Sequence, residues 1–239
     1  MMSNLSIVTI VEGVHQICLG RTSAFLIETN DGPVLIDAGW KWSFGRLKMS
    51  LGVLGYIPQD VSLVALTHFH PDHGGGAWNF RKNTDSDIAI HHKDAMIMSG
   101  EQAMPEIMTK GVGKFLLNPF LNLLTGRPVH GDITLKGGEL LPTSLPIEVI
   151  HTPGHTDGTV CFYIPSKGVM MVGDALQVKD GILMPPSRIF SQNWVQAINS
   201  LSVLVEYDFD IVCLSHFAHL PSDGKGAMVD LMERIGYEY

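Results

Sequence analysis

The segment Thr67-His68-Phe69-His70-Pro71-Asp72-His73-Gly74 places three histidines and an aspartate within six residues. Imidazole nitrogens and carboxylate oxygens suit zinc, iron and manganese. His68 and His70 alternate, so they cannot share a helix face, but in an extended or turning loop both can point into one cleft. Asp72 and His73 continue the turn and can aim at a second ion beside the first. Gly74, Gly75 and Gly76 follow and permit a tight turn and close packing. The chemistry such a cluster supports is metal-assisted: acidifying a water and polarising the oxygen of a bond to be cleaved.

The elements that must position these residues are legible around them. Residues 61–66 form an apolar run that ends at polar Thr67, which predicts a buried strand feeding the cluster. Three other segments share that form, an apolar strand followed by a potential ligand. Residues 147–150 lead through His151-Thr152-Pro153-Gly154 to His155, residues 169–172 lead to Gly173-Asp174, and residues 211–214 lead to Ser215-His216. Ligands at strand ends can meet at one edge of a sheet from distant parts of the chain.

Further strands are expected at 6–11, 14–19, 24–29, 34–37, 87–91 and 159–164, with Asn30-Asp31-Gly32 as a hairpin turn. Helices are expected at 44–54, from 74–76 through 81, at 94–99, at 192–206 and at 225–235. Two groups of strands with helices between and after them predict a layered α/β fold. No repeat or linker interrupts residues 1–239, which predicts one domain. Residues 97–130 stand apart. Met98, Met104 and Met108 are followed by Phe115, Leu116, Leu117, Phe120 and Leu121, with Gly and Pro breaking the run. Such a segment is either ordinary core or a lid lining an apolar pocket.

Hydrophobic residues make up 45% and charged residues 17% of the chain, the balance of an ordinary globular protein. A formal net charge of −8 and the lack of a basic run argue against nucleic-acid binding. No apolar stretch approaches the roughly 20 residues of a membrane span. Residues 1–11 lack the basic start and cleavage pattern of a secretory signal, so the cytoplasm is the expected location. Cys18, Cys161 and Cys213 lie in apolar runs without ligand spacing and are expected as small buried hydrophobes.

HFHPDHGGG, HTPGHTDGT, VGDAL and LSH together resemble the metallo-β-lactamase superfamily in its dinuclear hydrolase branch, including its glyoxalase II-like and lactonase-like members. The lead-in over 24–39, ending Leu35-Ile36-Asp37-Ala38-Gly39, resembles that family's first hairpin. The resemblance spans roughly residues 5–220. It implies a four-layer αββα sandwich with two divalent metal ions at one edge. Zn2+ is the first choice, and iron or manganese are compatible with the same donors. It also implies His68, His70 and His155 on the first metal, Asp72, His73 and His216 on the second, and Asp174 bridging both, with a water or hydroxide between the ions. Asp72 would orient that water and carry its proton. Asp37 is expected to support the loop of His68 from outside.

Other histidines compete less well. His219 is the rival for the last position, but His216 directly follows its strand. His151 sits in a Pro turn, and His15, His91, His92 and His130 lack ligand-spaced partners.

The resemblance implies hydrolysis of an ester, thioester, lactone or similar bond in a small molecule, with an apolar acyl part if the Met-rich segment lines a pocket. True β-lactamases of the family generally lack the bridging aspartate. Hydroxyacylglutathione hydrolases add a helical region where only the short stretch 217–239 follows His216, and quorum-quenching lactonases place a tyrosine where Asp174 is followed by Ala175-Leu176-Gln177-Val178. Persulfide dioxygenases, with two histidines and one aspartate on a single iron, are the redox alternative, and a non-catalytic metal-binding module is a third. The filled ligand set favours the hydrolase over both.

Overall fold

Strict alternation along the strands sorts their side chains into three apolar layers. In β3 (Ser23–Ile27), Phe25 and Ile27 face one layer while Ala24 and Leu26 face another. The pattern repeats in β4 (Val34–Ile36) and β5 (Leu63–Ala65), where Val34, Ile36, Leu63 and Ala65 join the first layer and Leu35 and Val64 the second. Period-two alternation with both faces buried requires a cover on each side of the sheet.

The computed structural model describes residues 6–105, 126–216 and 219–236. The first sheet runs in the order β1 (Ile7–Val11), β2 (Val14–Cys18), β3, β4, β5, β6 (Asp87–His91) and β7 (Ile133–Leu135). Its first four strands are antiparallel neighbours, and β4 to β7 are parallel. The second sheet contains β8 (Glu148–His151), β9 (Val160–Ile164), β10 (Val169–Met171) and β13 (Ile211–Cys213), in the order β13-β10-β9-β8. A small hairpin of β11 (Gln177–Lys179) and β12 (Ile182–Met184) lies between β10 and β13 in sequence.

The central layer joins the two sheets, with Phe25 and Ile36 of the first packed with Val149, Phe162 and Met171 of the second. Helices α1 (Phe44–Val53), α3 (Ala77–Asn83) and α4 (His92–Met98) cover the outer face of the first sheet through Leu47, Leu51, Phe80 and Met98. Helices α5 (Trp194–Ser200) and α6 (Gly224–Arg234), with the 3-10 turns Leu201–Glu206 between them, cover the second sheet, Leu201, Leu204, Met228 and Leu231 providing the contact. Helix, sheet, sheet, helix is the αββα order that the motifs implied.

Several local expectations need correction. The expected turn at Asp72 and His73 is helical: Pro71–Gly74 forms a short helical turn, α2, with the His73 and Gly74 amides donating to the His70 carbonyl at 3.0 and 2.9 Å, and the helix expected from 74–76 through 81 runs instead over Ala77–Asn83. Pro71 occupies its first turn, where a missing N–H costs nothing. The helix expected over 192–206 is α-helical only through Ser200. Strands β7, β11 and β12 were not anticipated. The core of the Met- and Leu-rich segment, 106–125, lies outside the described residues, and with it the choice between ordinary core and a lid. Cys161 and Cys213 are buried free thiols, as expected, while Cys18 is half-buried. Among the described residues no helix is long and apolar enough to cross a membrane.

Candidate metal centre

Four strands deliver the cluster to one edge. Strand β5 leads into His68 and His70, and α2 carries Asp72 and His73. Strands β8, β10 and β13 lead to His155, Asp174 and His216. In the second sheet β8 and β10 are each antiparallel to β9, and β13 is parallel to β10. All three therefore point the same way and release His155, Asp174 and His216 at the same end. The Val160 amide donates to the Thr67 carbonyl at 2.9 Å, joining the two sheets beside the cluster.

The structure brings all seven predicted side chains together. His68 Nε2 and His70 Nδ1 are 3.0 Å apart, as are His70 Nδ1 and His155 Nε2. A proton on His70 Nδ1 can satisfy one such neighbour well, whereas a cation satisfies all three nitrogens. The second trio has His216 Nε2 at 3.3 Å from Asp72 Oδ2 and 3.4 Å from His73 Nε2. Asp174 faces both: Oδ2 is 3.5 Å from His155 Nε2, while Oδ1 is 3.4 Å from His73 Nε2 and 3.2 Å from His216 Nε2. Tetrahedral zinc with bonds of about 2.0–2.1 Å spaces its nitrogens by about 3.3 Å, so the donors fit. Three groupings, His68/His70/His155, His68/His73/Asp174 and Asp72/His73/His216, have ligand atoms close enough to hold an ion. His219 belongs to none of them.

The electrostatics fit a cation as well. Burial, reinforced by neighbouring imidazoles, lowers His68 well below its ordinary range and His70 to about 3. Burial also outweighs the Asp174 charge at His155, which falls to about 4. These imidazoles are neutral at pH 7 and offer lone pairs. Burial pushes the carboxyls up, but His73 and His216 outweigh it, holding Asp72 at about 2 and Asp174 well below its ordinary value. His73 and His216 are pulled down by burial and pushed further up by carboxylates, His216 to about 10. Their protons mark where the two carboxylates call for positive charge.

The outward ring nitrogens of His68, His73, His155 and His216 find partners, which fixes tautomer and ring orientation. Asp37 Oδ2 is 2.7 Å from His73 Nδ1, and the Asp37 carboxylate also accepts from the Thr67 amide at 2.8 Å and the Thr67 hydroxyl. Thr67 Oγ1 lies 3.0 Å from His68 Nδ1. His216 Nδ1 donates to the Arg21 carbonyl at 2.7 Å, and the Ser191 hydroxyl lies 3.5 Å from His155 Nδ1. Asp37 thus supports the loop of His68, from a left-handed backbone at φ +62° that aspartate tolerates better than bulkier residues.

Sequence reasoning missed Thr67, Arg21, Ser191 and a second buried carboxylate, Asp94. The signal at Asp94 was ambiguous: an acid in the first turn of a helix is ordinarily a partner for the helix dipole.

His91, His92 and His151 do have partners, each other. The rings of His91 and His151 stack 4.1 Å apart, and those of His91 and His92 lie 4.3 Å apart. Among the described residues they belong to no group able to hold a metal. Burial, then the charges of His151 and His92, lowers His91 from 6.5 to about 4. The unfolded chain therefore takes up this proton first as pH falls. The associated stability is complete above pH 6.5 and lost on the way down to pH 4. Thermal melts of the wild type and His91→Gln across this range check the sign. The wild-type Tm is expected to fall more steeply, and parallel curves would remove His91 as the cause.

The family model for the metallo-beta-lactamase superfamily matches residues 19–216, most of the chain. The chain belongs to the metallo-beta-lactamase superfamily. A probable metallo-hydrolase of this kind from Bacillus subtilis is 25% identical over 196 residues, covering 80% of this chain and 79% of the relative. An N-acyl homoserine lactonase of Bacillus thuringiensis is 22% identical, covering 80% of this chain and 79% of its own length. The crystal structure of a metallo-beta-lactamase family protein from Thermus thermophilus superimposes with a TM-score of 0.74 at 21% identity, over 95% of this chain and 80% of that one. The superfamily fold accounts for the αββα layers and for the ligand-type residues at their edge.

Proposed function

We propose that this hydrolase binds two divalent cations, most simply Zn2+, and cleaves an ester, thioester or lactone bond in a small substrate with an apolar acyl part. The observation that carries the reading is the placement of Asp174. Its two oxygens face different groups of ligand atoms, one toward His155 and the other toward His73 and His216. Such a carboxylate suits a pair of ions better than a single one. The cations would supply Lewis acidity and an acidified water at neutral pH.

The chain's own residues do the rest. His68, His70 and His155 give neutral donors on one side, and Asp72, His73 and His216 give a charged set on the other. The Asp72 side chain is 21% exposed, so it can both reach the centre and exchange a proton with solvent. Its low pKa keeps it ionised, so that it can accept a hydrogen bond from a water and orient it.

Two features support an acyl substrate. A cavity of about 340 Å3 beside Phe69 and Pro71 is lined by Ile97, Met98 and Met104. Ile189 and Phe190 are exposed immediately before Ser191, which approaches His155. The lactonase relative is named for an acyl substrate. Apolar side chains of this kind can hold an acyl chain while the polar edge works on the carbonyl.

Elemental analysis of protein purified without added metal, followed by an ester, thioester and lactone panel on the same sample, tests the proposal. Two divalent metals per chain and oxygen-independent hydrolysis that rises with acyl length are expected. One iron per chain with oxygen uptake would make it a dioxygenase instead, and equal turnover of short and long acyl groups would remove the acyl preference.

A further inference from the structure

Behind the cluster lie two fully buried carboxylates, Asp37 and Asp94, with different sets of hydrogen-bond donors. Asp37 holds Thr67 and His73, as described above. Asp94, on the first turn of α4, receives three hydrogen bonds. The Phe69 amide donates to its Oδ2 at 3.0 Å, and the Thr156 hydroxyl to the same oxygen at 2.7 Å. The Gly158 amide donates to its Oδ1 at 2.8 Å.

The sequence positions of these donors give the bonds their meaning. Phe69 is the residue between His68 and His70, and Thr156 directly follows His155. Asp94 therefore ties together, through one carboxylate, the two loops that carry the nitrogen trio His68 Nε2, His70 Nδ1 and His155 Nε2. None of its three donors lies in the segments carrying Asp174 or His216.

The clamp leaves little room for adjustment. A Cβ at Gly158 would overlap the Asp94 carboxylate, so this close approach depends on glycine. Thr156 Oγ1 also lies 2.9 Å from Thr159 Oγ1, and the Thr156 amide donates to Thr159 Oγ1 at 2.8 Å, which fixes the hydroxyl that reaches Asp94. Burial raises the Asp94 carboxyl to about 6 against the pull of its three donors, leaving it mostly ionised at pH 7. An ionised carboxylate makes these bonds stronger than a neutral acceptor would.

We infer that Asp94 is a positioning residue for one half of the centre: it sets the spacing of the His68, His70 and His155 nitrogens and so the affinity of that half for its cation. The inference rests on the two-cation reading proposed above. It concerns cation affinity, so its readout is binding.

The test uses the full-length chain in two single-site backgrounds. His216→Ala is expected to keep the His68/His70/His155 side, and His70→Ala the Asp72/His73/His216 side. Each is titrated with Co2+ alone, followed by its visible absorption and by competition with a chelator. Asp94→Asn, close in shape and without the charge, is then added to each. Removal of an outer partner of a metal ligand costs about 10–100-fold in affinity. A loss of that order is expected in the His216→Ala background, with a changed cobalt spectrum, and a change of less than about 3-fold in the His70→Ala background.

Thr156→Val removes one of the three donors without touching the carboxylate and is expected to weaken the same side by a smaller factor. Thr156→Ser, which keeps the hydroxyl, is expected to restore it. These variants decide the matter if Asp94→Asn fails to fold. Equal losses in both backgrounds would mean general loosening and would overturn the inference, as would no loss in either. If the two parent backgrounds do not each hold one Co2+, the two-cation reading itself fails and the inference falls with it.

Discussion

Replacing His70 by alanine is expected to abolish hydrolysis while leaving the fold in place. His70 Nδ1 is the nitrogen common to both 3.0 Å contacts of the first trio, one to His68 and one to His155. Without it the trio becomes a pair, and His68 and His155 keep only the shared Asp174 carboxylate as a third donor on that side, which weakens the hold on a cation there. The loss should exceed the roughly 10–100-fold that follows removal of an outer-shell partner, because a direct ligand is gone. The fold should survive because His70 belongs to none of the three apolar layers. Removing a neutral, half-buried imidazole also strands no charge. Far-ultraviolet circular dichroism, metal content and turnover on one sample check each part. Undiminished turnover would contradict the proposed role of His70, and a collapsed spectrum would show that the ligand loop holds the sandwich together.

Asp72→Asn should spare more of the centre but cost nearly as much rate. The asparagine keeps the shape at the point where Oδ2 stands 3.3 Å from His216 Nε2 and 3.9 Å from His73 Nε2. It removes the charge and the ability to take a proton. General base groups contribute about 10²–10⁴-fold, and a fall in kcat of that order is expected with KM nearly unchanged. Measuring kcat at saturating cation, with metal content determined in parallel, separates loss of the proton acceptor from loss of the ion. A variant with full kcat and two metals would move the proton-transfer role away from Asp72.

The cluster was legible because its residues follow apolar strands, and a strand end is a place where a polar side chain can be aimed. His216 was preferred over His219 on that ground alone, and it is His216 that meets Asp72, His73 and Asp174. The layers were legible for a related reason: runs such as 24–27 and 160–164 are apolar throughout, which suits strands covered on both faces. What escaped was local chemistry with two meanings. Asp94 has the sequence context of a solvated helix-start acid, and only the approach of Phe69, Thr156 and Gly158 reveals its task. The turn after His70 was expected, but its helical geometry was not. The β11–β12 hairpin did carry a signal, Asp180-Gly181, whose positive φ values of 53° and 79° suit a tight turn. Its flanking strands are only three residues each, too short for alternation to show.

The first sheet and its following turn contribute His68, His70, Asp72 and His73, whereas His155, Asp174 and His216 come from the second. On the proposed ligand set, an ion can therefore complete its shell only after both halves of the polypeptide have docked face to face. Cation capture would then be a late event in maturation, and bound ions would act as rivets across the seam between the sheets. Stripping them should loosen that seam before it melts either sheet.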